Sequence, residues 1–144
     1  MHSIWLLSFW NSLIIHSEYG KIKSIDKVKN ELIGYKDDLS EWVKNHFSHA
    51  FASTNEDKII SYFEKTQNWA FNHTQFKDIA KAEFANAADG WLVAYAKAKN
   101  CVVVTQEVLA PEAKRKIPLP NVCQAFDVSF IDTFEMLRIL GVHF

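Results

Sequence analysis

Residues 87–107, A-A-D-G-W-L-V-A-Y-A-K-A-K-N-C-V-V-V-T-Q-E, constrain the fold more than any other part of the chain. An acid, Asp89, stands where a short apolar helix begins, and Asn100 can end that helix. Residues 101–105 then read as a strand, and a second acid, Glu107, follows it. A β-branched run without polar alternation predicts burial on both faces, as in a parallel sheet. A helix that leads into a parallel strand runs antiparallel to it. The start of that helix and the end of that strand therefore share one edge of the sheet. This order predicts Asp89 and Glu107 as neighbours at the carboxyl edge, where open α/β sheets place their sites.

Helical periodicity dominates the rest. Phe9, Trp10, Leu13 and Ile14 predict a helix over 8–18, ended by Tyr19-Gly20. Residues 21–25 read as a short extended piece. Ser24 or Asp26 then caps a helix carrying Val28, Leu32 and Ile33, with Gly34 as a stop. Leu39, Trp42, Val43 and Phe47 share another helical face. Thr54, with an acid three residues later, marks a start for Ile59, Ile60 and Phe63. Thr74 precedes a helix with Phe76, Ile79, Ala80 and Phe84. Pro111, Pro118 and Pro120 mark an irregular connection that carries Lys114-Arg115-Lys116. Residues 128–131 read as a last short strand, and Asp132 or Thr133 caps a final helix closed by Gly141. The expectation is a single α/β domain over 1–144, with many helices and a short, mostly parallel sheet.

A chain of 144 residues suits one domain with a modest core. The net charge of −1 supplies no global field for a polyanion, so a nucleic-acid partner has to be met by a local basic patch. Cys101 and Cys123 are the two cysteines, and neither belongs to a C-x-x-C pair, which argues against zinc. Cys101 opens an apolar run and reads as a reduced, buried thiol, pointing to a cytoplasmic protein. No Lys or Arg precedes Lys21, and the apolar N-terminal run is short, so neither a signal peptide nor a membrane span is expected.

Asp89 and Glu107 suggest a hard-cation site, and Glu31, early in its predicted helix, brings a third acid within reach if that helix starts at the same edge. Mg²⁺ and Mn²⁺ prefer carboxylate and water oxygens. Such an ion lowers the pKa of bound water and steadies charge on a phosphodiester, without a nucleophilic side chain. Plainer readings stand beside each residue. Asp89 is a good N-cap, Glu31 a solvated helix residue, Glu107 a polar loop residue, and Thr105 a strand end or a hydrogen-bonding support. Trp91 reads as core rather than as a stacking platform. His46 and His49, at i and i+3, read as an exposed helix face, and Lys114 to Lys116 as solvated surface.

Several pieces together resemble a PIN domain, within a PIN-like subgroup of bacterial proteins. They are Phe9-Trp10 with Leu13, then Ser24-Ile25-Asp26-Lys27-Val28 with Glu31-Leu32, and Ala88-Asp89-x-Trp91-Leu92-Val93-Ala94-Tyr95-Ala96. Val103-Val104-Thr105-x-Glu107 follows, then Ile117-Pro118, Asn121-Val122-Cys123-x-Ala125-Phe126, and a tail of Phe134-Glu135-Met136-Leu137 with Gly141 and Phe144. The resemblance implies a three-layer α/β/α sandwich and a Mg²⁺- or Mn²⁺-dependent ribonuclease of VapC-like toxin type. RNA would be its substrate and an antitoxin protein its partner. By position, Glu31, Asp89 and Glu107 resemble three of the family's metal-binding acids, and Thr105 the Thr or Ser that precedes the last one. The family opens with a strand carrying a further catalytic Asp, in a pattern like L-D-x-N-x-F. Here the first Asp is Asp26, so that strand and its acid read as missing. The alternative is therefore a catalytically impaired module that works by binding an antitoxin, a second copy of itself or a complementing strand. Gly90 stands where relatives often carry Pro and is expected to change little beyond helix-start rigidity.

Overall fold

The computed structural model describes residues 22–33, 41, 45 and 48–141. The predicted helix over 8–18, the Gly34 stop and nearly all of the predicted helix around Trp42 lie outside these residues. The chain divides into two compact units, residues 1–53 with 134–144, and residues 54–133. Each holds one parallel strand pair among the described residues, and the fold is mixed α/β.

In the first unit, β1 (Ser24–Ile25) pairs in parallel with β2 (Phe51–Ala52), with Ser24 opposite Phe51. Helix α1 (Asp26–Ile33) follows β1 directly. Asp26 makes the turn, its Oδ1 accepting the Lys27 amide at 2.8 Å. The expected extended piece is present at Ser24–Ile25, and Asp26 is the first residue of the helix that follows.

The second unit is built around two antiparallel helices, α2 (Asp57–Asn72) and α4 (Asp89–Lys99). Ile59, Thr66 and Ala70 form the buried stripe of α2. Its start lies where Thr54 to Asp57 predicts it, with Glu56 as the N-cap residue in extended conformation and its side chain making no capping bond. Thr54 is buried instead, and Glu56 reaches Lys99 at the far end of α4, 2.8 Å away. At the opposite end Gly90 lets α4 approach α2 closely. A Cβ there would stand 2.8 Å from Gln67 Nε2 and 2.9 Å from Thr66 Oγ1. Gly90 thus decides the spacing of two helices, beyond the slight effect expected of it. Trp91 stacks on Phe63 with ring centroids 3.8 Å apart, as a packing residue.

Helix α4 has the bounds the sequence predicts. Asn100 takes the left-handed conformation at φ 59°, and the Cys101 amide returns to the Ala96 carbonyl at 2.9 Å. The chain then enters β3 (Val103–Val104), parallel to β4 (Phe130–Ile131). Here the expectation of two buried faces is corrected. Val103 is buried, while Val102 and Val104 are 51 % and 40 % exposed. A β-branched run cannot by itself tell a covered face from an open one.

Helix α3 (Asp78–Asn86) begins later than Thr74 suggests. The Lys77 amide is donated to the Lys114 carbonyl at 2.8 Å, and Gln75 Nε2 reaches the carbonyls of Pro111 and Ala113. The turn before α3 is thereby committed to the proline-rich connection. That connection ends in a helix the sequence reading does not foresee, α5 (Leu119–Ala125). Pro118 is its N-cap in extended conformation, and Pro120 fills its first turn, where a missing N–H costs nothing. Leu119, Val122 and Cys123 of α5 join Val93, Phe84 and Ile117 in the core. Helix α6 (Thr133–Ile139) follows β4, and Gly141 with φ +74° lies beyond its end as expected.

Candidate functional site

Asp89 and Glu107 both border α5. Glu107 sits beyond β3, half-buried, on the loop that Thr105 shapes. Thr105 donates its amide to the Ile131 carbonyl and accepts the Glu107 amide on Oγ1 at 3.1 Å. This is the supporting role considered for Thr105. The Glu107 carboxylate then turns to the first turn of α5. Oε2 accepts the Leu119 amide at 2.8 Å, and Oε1 meets Lys116 Nζ at 3.1 Å. An anionic acceptor at a helix N-terminus satisfies an amide that has no partner within the helix.

Asp89 opens α4 and is half-buried, and Cys123 lies on α5, one turn along from Leu119. Burial pushes the Cys123 thiol up to about 12, and the negative charge of Asp89 acts in the same direction. Leu119 and Cys123 are four residues apart, about 6 Å along a helix. Glu107 is bonded to the first turn of α5, and the α4–β3 order of elements is the one the sequence predicts.

Glu31 lies on α1 in the other compact unit, with an exposed side chain. Of the two histidines weighed above, His49 is exposed and His46 lies outside the described residues. Among the described residues, no group of three or more His, Cys, Asp or Glu side chains is placed to hold a metal ion. The donor chemistry at Asp89 and Glu107 still fits a hard cation. Mg²⁺ commonly keeps several waters and takes one or two carboxylates together with substrate phosphates. Glu107 could offer Oε1 once Lys116, exposed at 64 %, moves aside.

The connection between Glu107 and α5 is irregular but firmly fastened. Asn121 holds Ala110 through both backbone groups, Oδ1 accepting its amide at 3.0 Å and Nδ2 donating to its carbonyl at 2.9 Å. Gln75 and Lys77 hold residues 111–114 as described. Gln75 and the Leu119 amide have no signal in the sequence, and Asn121 enters there only through the family resemblance. Pro118 and Pro120 carried the missing signal, because proline at a helix start announces α5 and with it a cap for Glu107 to serve.

A family model described as Domain of unknown function (DUF4411) matches residues 5–144. No curated protein and no solved structure matches the chain.

Proposed function

The chain belongs to the DUF4411 family, and we propose that it is a metal-dependent RNA phosphodiesterase of PIN-like type, with Asp89 and Glu107 as metal ligands. The observation that carries this reading is the Glu107 carboxylate fixed at the first turn of α5, just beyond the α4–β3 unit that Asp89 opens and beside the exposed basic segment Lys114-Arg115-Lys116. When bound, Mg²⁺ or Mn²⁺ would supply a more acidic water and charge stabilisation at the phosphorus.

The chain's own groups would do the positioning. The Leu119 amide fixes the Glu107 carboxylate and Thr105 holds the Glu107 backbone, so little ordering is left for the ligand to impose. Asp89 is held at the start of α4 by the close α2–α4 approach at Gly90. Lys116 balances Glu107 until a stronger cation takes its place. The test is cleavage of single-stranded RNA with Mg²⁺ or Mn²⁺, comparing the wild type with Asp89→Asn and Glu107→Gln. Cleavage that needs the metal and is lost in both variants supports the reading. Equal, metal-independent cleavage by all three ends it.

A second reading is favoured by one feature, namely that both Glu107 oxygens already have protein partners. In it Glu107 is architectural, and the domain acts by binding a protein such as an antitoxin or a second copy of itself. Unchanged Mn²⁺ affinity in Glu107→Gln would favour this second reading over the first. Among the described residues, no helix is long and apolar enough to cross a membrane.

A further inference from the structure

We propose that Lys114 and Arg115 form a prearranged ledge that docks the phosphate backbone of single-stranded RNA beside Glu107. The inference deepens the nuclease reading and rests on it for the identity of the polyanion. Lys114, Arg115 and Lys116 are consecutive, and all three are exposed. A run of this kind is commonly mobile, but here its backbone is fastened on both sides. The Lys77 amide holds the Lys114 carbonyl at 2.8 Å, and Gln75 Nε2 holds the Ala113 carbonyl. Ile117, 3 % exposed, and buried Pro118 lock the far side into the core. The charges therefore project from a fixed platform, and docking has only side chains left to order.

Lys77, brought to Lys114 by its own amide, adds a fourth exposed cation at the same place. Asp78 and Glu112 are the nearby exposed acids, and Glu107 is occupied by Lys116. In a chain of net charge −1 this is the local basic patch that a polyanion would need. Phosphate contacts of this sort position a strand without reading its bases.

The experiment is fluorescence anisotropy of a labelled oligouridylate on the full chain in EDTA, across a salt series. Lys114→Glu with Arg115→Glu is compared with the wild type and with a charge-matched control, Lys58→Glu with Lys65→Glu, on the exposed face of α2. Circular dichroism confirms that all three are folded. The ledge variant is expected to bind about tenfold or more weakly than the control. Its salt slope should be shallower by about 0.7 for each phosphate that the protein no longer neutralises. Equal affinity in all three proteins, or equal weakening in both variants, overturns the ledge. Ledge-dependent binding without any metal-dependent cleavage removes the nuclease reading alone. Cleavage with ledge-independent binding removes the ledge alone.

Discussion

The Glu107 carboxylate closes the first turn of α5 by accepting the Leu119 amide at 2.8 Å. A residue proposed as a metal ligand therefore also has an architectural task, and two substitutions separate the two. Glu107→Gln keeps a carbonyl oxygen for Leu119 but removes the negative charge. Glu107→Ala removes both. Ala is expected to cost about 1–2 kcal/mol, the usual cost of losing a helix cap, and Gln well under half of that. Metal-dependent cleavage is expected to vanish in both. Thermal unfolding and an RNA cleavage assay on the same samples read the two tasks. Equal destabilisation by Gln and Ala would count against the cap.

Gly90 makes the second prediction. In an exposed helix Gly→Ala is stabilising by about 1 kcal/mol. At Gly90 the sign is expected to reverse, because the new methyl would meet Thr66 Oγ1 at 2.9 Å and Gln67 Nε2 at 2.8 Å. Thr66 is fully buried, with its hydroxyl donated to the Phe63 carbonyl, so it cannot yield cheaply. Overpacking of this kind costs about 1–3 kcal/mol. Gln67 Nε2 is buried without a hydrogen-bond partner, so Gln67→Ala alone is expected to be nearly neutral. It should also relieve part of the Gly90→Ala cost, giving a double variant more stable than additivity allows. A stabilised Gly90→Ala in urea unfolding would contradict the close approach.

These sites show what could be read from the residues beforehand. Helix α4 was legible at both ends because local chemistry sets them, an acid at its start and Asn100 in the left-handed conformation at its stop. Both strands of the second pair were placed, but the open side of Val104 was not foreseen, since exposure depends on what packs there. The start of α3 was misplaced because the Lys77 amide is claimed by Lys114, a partner that no local pattern announces. Helix α5 was missed because Pro118 and Pro120 were read only as breakers. With α5 unseen, the link from Glu107 to Leu119 has no local signal.

Lys116 makes the third prediction. Its ammonium lies 3.1 Å from Glu107 Oε1 and is largely exposed. Exposed pairs of this kind contribute about 0–1 kcal/mol, so Lys116→Met should leave the unfolding midpoint nearly unchanged. On the nuclease reading the freed oxygen should bind Mn²⁺ several-fold more tightly, measured by electron paramagnetic resonance without RNA. An unchanged Mn²⁺ affinity would show that Lys116 does not compete for this position.

The fourth prediction concerns alkaline pH and the pairing of Asp89 with Cys123. The Cys123 thiol is pushed from the ordinary 9.0 to about 12 by burial first and by Asp89 second. Below pH 9 both the folded and the unfolded chain keep this proton, so it leaves stability unaffected. Between pH 9 and 12 the unfolded chain releases it and the folded chain retains it. The unfolded state then binds fewer protons, and stability falls as pH rises, by up to about 1.4 kcal/mol per pH unit from this group. Cys123→Ala should be less stable at pH 7.5, because it leaves a small cavity, yet lose less between pH 9 and 10.5. Every other group is common to the two proteins, so the difference in slope isolates Cys123. At pH 8 the half-buried Cys101 should react with a disulfide reagent in the native protein, and Cys123 only after unfolding. Asp89→Asn removes the second cause, so its alkaline loss should level off at a lower pH than in the wild type. Parallel alkaline losses in the wild type and Cys123→Ala would show that the Cys123 proton is not their source.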